Sequence, residues 1–104
     1  MTYAITYGVP INAEIYARIK DGIGPERPDG LIAHLAWRID TGLQYVDLWQ
    51  SKDQYEVFTE DRLHPVVHPL LQEMVGFVPP EPPRTVLDVI NAWTERYPNS
   101  ALPK

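Results

Sequence analysis

No cysteine occurs anywhere in the 104 residues. Disulfides, thiolate nucleophiles and cysteine-held metals or clusters are therefore excluded, and a reducing compartment suits the chain. Basic residues are sparse: nine Lys and Arg against fourteen Asp and Glu, a net charge of −5. The nine are scattered and form no stripe. Nucleic-acid binding rests largely on phosphate neutralisation, so no nucleic-acid partner is expected. No apolar run approaches the ~20 residues needed to cross a bilayer. The opening Met1-Thr2-Tyr3-Ala4-Ile5 lacks the basic and apolar regions of a signal peptide. A cytoplasmic chain without a membrane partner is the expectation.

What the chain does have is the pattern of an ordinary globular domain, 44% hydrophobic and 11% aromatic. Its length fits one domain, expected over residues 1–93, with 94–104 as a C-terminal tail. Thr2 to Val9 alternates in β-forming residues and reads as a strand ended by Pro10. Asn12 is a fitting N-cap for a helix to about Asp21, with Ile15 and Ile19 on its inner side and Gly22 as its stop. Asp21 to Gly30 is dense in Gly and Pro and reads as a loop. Leu31–Ile39 and Leu43–Trp49 flank Asp40-Thr41-Gly42, which marks a hairpin. Ser51 with Gln54 three residues on forms a capping box ahead of Tyr55, Phe58 and Leu63. Pro65 and Pro69 should split that helix in two, with Pro65 in the first turn of the second piece. Phe77 to Pro83 reads as a stiff linker, and Thr85 to Trp93 as a last strand.

The order is β-α-β-β-α-β, that of an α+β ferredoxin-like domain whose four-stranded antiparallel sheet carries both helices on one face. The other face needs a cover, and a second copy of the chain supplies one economically. A homodimer is therefore expected.

Alternation also sorts the hairpin by face. Aliphatic Leu31, Ala33, Leu35, Val46 and Leu48 are expected under the helices. His34, Ala36, Arg38, Tyr45, Asp47 and Trp49 would then look away from them, with His34 opposite Trp49 or Asp47 unless a bulge intervenes. An imidazole, a carboxylate and an indole on one sheet face suit a small-molecule site. The carboxylate fixes the imidazole tautomer and the indole gives a flat apolar wall. The plainer alternative is a satisfied polar pair at a dimer interface. His64 and His68, four apart, share a helical face, but two ligands do not make a metal site, and none is expected. Gly22-Ile23-Gly24 lacks the strand and helix of a phosphate loop. Ser51, Thr41 and Thr59 have no base beside them in sequence. No cofactor is implied.

The run Val46-Asp47-Leu48-Trp49-Gln50-Ser51-Lys52-Asp53-Gln54-Tyr55-Glu56-Val57-Phe58 resembles the strand-to-helix junction of the dimeric α/β-barrel (ABM-like) proteins. Gly30-Leu31-Ile32-Ala33-His34 and Arg62-Leu63-His64-Pro65 are similar to stretches of small members without an assigned activity. The resemblance implies a dimer whose sheets meet face to face around a cleft. Within that superfamily are cofactor-free monooxygenases, polyketide cyclases and haem-degrading enzymes. The last pair a Trp matching Trp49 with a first-strand Asn and a His in the following helix. Here those places hold Thr6 and Tyr7, and Phe58 and Thr59, so haem degradation is not implied. Two functions are carried forward. One is binding of a small apolar or aromatic metabolite, with Trp49, Tyr45, Tyr7 and Arg38 as ligand-binding residues. The other is a cofactor-independent monooxygenase or cyclase with His34 as general base and Asp47 as its orienting partner. A third idea is a structural interaction module.

Overall fold

The computed structural model describes residues 2–92. The expected tail at 94–104 and Trp93 lie outside them. Alternating β-formers at the start give β1 (Tyr3–Val9). Asn12 caps α1 (Ala13–Ile23), its side chain accepting from the Ile15 amide at 2.9 Å. The helix runs two residues beyond expectation because Gly22 is not its stop. Gly22 sits where α1 crosses the third helix, and a Cβ there would come within 2.6 Å of Val66.

β2 (Leu31–Ile39) and β3 (Gly42–Trp49) form the expected hairpin, with Ile39 paired to Gly42 across a two-residue turn. Gly42 has φ 144°, and a Cβ on it would stand 2.1 Å from the Val9 carbonyl oxygen. Only glycine lets β3 start this close to the end of β1. Ser51 opens α2 (Lys52–Phe58), accepting from the Gln54 amide at 3.2 Å and donating to the Gln54 side chain at 3.0 Å.

The split at the prolines occurs, and its form is a π-helical turn over Thr59–Leu63 followed by α3 (His64–Val75). The His64 amide reaches back five residues to the Thr59 carbonyl. Pro65 falls in the first turn of α3, where its missing N–H is harmless, while Pro69 lies inside it. The last strand is shorter than expected. β4 is only Thr85–Leu87, paired with Ala4–Thr6, and β1 begins one residue beyond that pairing, so the ladder runs out.

The result is an α+β fold with a four-stranded antiparallel sheet, order β2-β3-β1-β4. Such an arrangement is compatible with a ferredoxin-like fold. Among the described residues no helix is long and apolar enough to cross a membrane.

The sheet faces are the reverse of the sequence expectation. Tyr16 of α1 reaches His34 and Tyr45, while Tyr55 and Phe58 of α2 pack on Trp49. The His34–Tyr45–Asp47–Trp49 side is therefore the one beneath the helices. Leu35, Trp37, Val46 and Leu48 face the other way. A bulge between Leu31 and Ala33 adds a local exception: Leu31 joins the helix-side cluster and Ile32 packs on the opposite side with Ala4 and Leu48. The helix side is set by ring packing: Tyr55 and Phe58 of α2 pack on Trp49, and Tyr16 of α1 packs on His34 and Tyr45.

Candidate functional site between sheet and helices

The two-residue turn sets the register that puts His34 directly across from Asp47. Their side chains meet, Nδ1 of His34 on Oδ1 of Asp47. Asp47 is buried, whereas His34 keeps 30% of its side chain exposed. The other imidazole nitrogen, Nε2, lies 2.8 Å from the Tyr16 hydroxyl. Burial, and then the Asp47 charge, push the Tyr16 phenol upward from its ordinary value, so it keeps its proton. A protonated Tyr16 donating to Nε2 leaves Nδ1 to carry the ring proton toward Asp47. The three form one chain: phenol, imidazole, carboxylate.

Aromatic rings wall this chain. The Tyr16 and His34 rings are parallel at 6.0 Å between centroids, and Tyr45 meets both edge-on, at 5.7 and 5.3 Å. Tyr7 continues the row, edge-on to Tyr45 at 5.2 Å. Burial raises the Tyr7 and Tyr45 phenols too, helped by the Asp47 charge, so the row stays neutral. Past Tyr7 comes Arg84, whose guanidinium lies 5.4 Å from the Tyr7 ring centroid and 5.2 Å from that of Tyr55. Its Nη2 donates to Glu81 at 3.2 Å, and Glu81 also meets His64 Nε2.

His34 and Asp47 are thus brought together as expected, with Tyr45 and Tyr7 beside them. Trp49 shares their face, but it is 1% exposed and packs with Ile5 and Tyr55 in the core. Arg38 sits exposed on the edge strand β2, level with Leu43. The placement of this group away from the helices is corrected: it lies between sheet and helices. Sequence reading missed Tyr16 and Arg84. Tyr16 had a usable signal, since it adjoins Ile15 on the inward stripe of a helix capped at Asn12. Arg84 had less: a single cation closing the Pro-rich connector.

Among the described residues, the buried donors Trp49 Nε1 and Arg84 Nε of this region find no hydrogen-bond partner. His64 stacks on His68 at 4.3 Å and meets Glu60 and Glu81. Even so, among the described residues no group of three or more His, Asp or Glu is arranged to hold a metal. A groove of about 640 Å³ opens between the α1–β2 connection and α2, but His34 is not in its walls. Two arginines that line it are occupied in holding that connection. Arg27 donates to the Leu31 and Ile32 carbonyls, and Arg62 to those of Ile23 and Glu26. The Tyr16–His34–Asp47 chain therefore lies apart from the groove. No protein-family model matches the chain, and no curated protein is significantly similar to it.

Proposed function

We propose that the protein binds a small aromatic or apolar metabolite between sheet and helices, where His34 acts on it as a general base. The observation that carries this reading is the Tyr16–His34–Asp47 chain, with an imidazole held from both sides yet still 30% exposed. A ligand presenting an acidic O–H or α-carbonyl C–H to Nε2 takes the place of the Tyr16 hydroxyl. The proton passes to the imidazole, and Asp47 balances the new charge. Tyr45 and Tyr7 supply ring surface to hold the ligand. This is the chemistry a cofactor-independent monooxygenase or cyclase requires as its first step.

The same reading includes a ferredoxin-like domain paired as a homodimer in the manner of the dimeric α/β barrels. Support comes from the antiparallel order β2-β3-β1-β4 with both helical segments on one side, and from the likeness of the Val46–Phe58 stretch. On the side away from α1 and α2, Leu35 is 62% exposed, Trp37 45% and Ile39 37%, an apolar strip along β2 that a second copy would cover.

The test has two arms. In D2O, the protein should accelerate deuterium uptake at the α-carbon of acetophenone, followed by proton NMR, and His34→Gln should return the rate to that of buffer. Equal rates for wild type, variant and buffer would refute the general base. Light scattering at micromolar concentration should give twice the chain mass, and Leu35→Lys with Trp37→Lys should halve it. A wild-type monomer would refute the pairing.

A further inference from the structure

We infer that two copies of the chain join along the outer edge of β2, antiparallel about a two-fold at Trp37, so that each lends its Asp40 turn to the other's His34 site. The inference deepens the homodimer reading above, on which it rests, by naming the seam. In the order β2-β3-β1-β4 the two outer strands are unlike. β4 has only three residues, and shortness protects its edge. β2 has nine, without proline or lysine, and every residue from His34 to Asp40 is exposed. An uncovered edge of this length leaves alternate backbone N–H and C=O groups without a ladder, a template for another strand. Only its start is occupied, where Arg27 donates to the Leu31 and Ile32 carbonyls beside the bulge.

The bare apolar surface points to the same edge. On the side away from α1 and α2, the middle of the sheet is already closed: Ala4 is 4% exposed and Leu48 7%, with Ala92 packed on them. The exposed large apolar side chains of the sheet on that side are Leu35, Trp37 and Ile39, all on β2. A second copy fits them because the strand complements itself. A two-fold at Trp37 sets Trp37 against its own copy, Leu35 against Ile39 and Ala36 against Arg38. On the helix side it brings the Asp40 carboxylate, which has no partner among the described residues, to the imidazole of His34. No like charges meet. Neighbouring registers are poorer. A two-fold at Arg38 opposes two guanidinium groups. One at Ala36 sets Arg38 against His34 and runs into the Ile32 edge that Arg27 holds.

The chain has no cysteine, so single-cysteine variants are clean probes of the seam. Directly opposed residues stand about 4.5–5.5 Å apart between Cα atoms, within disulfide reach, whereas Leu35 would lie about 14 Å from its own copy. Under mild oxidation Trp37→Cys should link into a covalent dimer on non-reducing gels, with Leu35→Cys at least about tenfold slower. Leu35→Cys combined with Ile39→Cys should link like Trp37→Cys. Since Trp37→Cys also removes an indole, hydrogen exchange in the wild type gives a second reading. At dimer concentrations every amide from Leu35 to Ile39 should be protected, where a free edge leaves alternate ones fast. Absence of the Trp37→Cys link, or equal linking of Leu35→Cys and Trp37→Cys, overturns the register. Alternate β2 amides that stay fast in a dimer overturn the seam and leave the homodimer standing. A wild-type monomer by light scattering refutes the homodimer and the seam with it.

Discussion

Replacing Gly42 by alanine tests the close approach of β3 to the end of β1. Two penalties add. The residue has φ 144°, a backbone region that costs a side-chain-bearing residue about 1–3 kcal/mol. The new methyl would also stand 2.1 Å from the Val9 carbonyl oxygen and 3.0 Å from the Pro10 Cα, both backbone atoms that cannot swing aside. Forcing them apart costs about another 1–3 kcal/mol by analogy with overpacked cores. The sum, about 2–6 kcal/mol, is a large share of the stability of a domain of this size. Gly76 provides the control. It also has positive φ, 83°, but a Cβ there meets nothing within 4 Å. Gly76→Ala should lose only the conformational share, about 1–2 kcal/mol. Urea denaturation followed by circular dichroism reads both variants. A Gly42→Ala loss no larger than that of Gly76→Ala would show that the β1–β3 approach does not need glycine.

Asp47→Ala removes the buried partner of His34 and should cost about 1.5–3 kcal/mol in the same assay, with Asp47→Asn losing less because its oxygen still accepts from Nδ1; a loss within error for Ala would mean the pair is not formed. Acid should act through Glu81. Burial pushes its carboxyl up, but the His64 bond and Arg84 pull harder and hold it below the ordinary 4.5. Its contribution is therefore present above about pH 4.5 and lost as pH falls through the lowered value, and Glu81→Gln should flatten that part of the pH–stability curve. Alkali acts in the opposite sense. Tyr7 and Tyr45 are raised above the ordinary 10.0, so stability is intact below pH 10 and declines above it. Phenolate absorbance should show these two tyrosines ionising only with unfolding; free titration of every tyrosine near pH 10 would contradict their burial.

Element order was legible in the sequence because each boundary carries local chemistry: Asn12 and Ser51 as caps, Asp40-Thr41-Gly42 as a turn, Pro65 as a break. Which residues share a face was legible too, since alternation fixes it, and His34 does oppose Asp47. Which face the helices cover was not. Leu35, Trp37 and Val46 on one side and Tyr45 and Trp49 on the other are both apolar sets, so hydrophobicity alone does not choose between them. The contacts with Tyr16, Tyr55 and Phe58 decide, and those are known only once the helices are in place. The bulge at Ile32 hid for a related reason: a run of apolar residues reads the same with or without a slip. Tyr16 and Arg84 reach the site across long stretches of chain, and local pattern carries no record of such meetings.

The widened turn at Thr59–Leu63 fixes more than the course of one helix. It holds one residue beyond what a regular helix would, and Thr59 helps set it by donating to the Tyr55 carbonyl at 2.9 Å. One residue is about 100° of rotation. That offset lets α2 aim Tyr55 and Phe58 at the sheet while α3 aims Val66 at Gly22 and His64 at Glu81. A chain shortened by a single residue there would rotate α3 out of phase with α2 and part both contacts at once. Exposed Asp61 can change identity freely, but the length of the stretch cannot change.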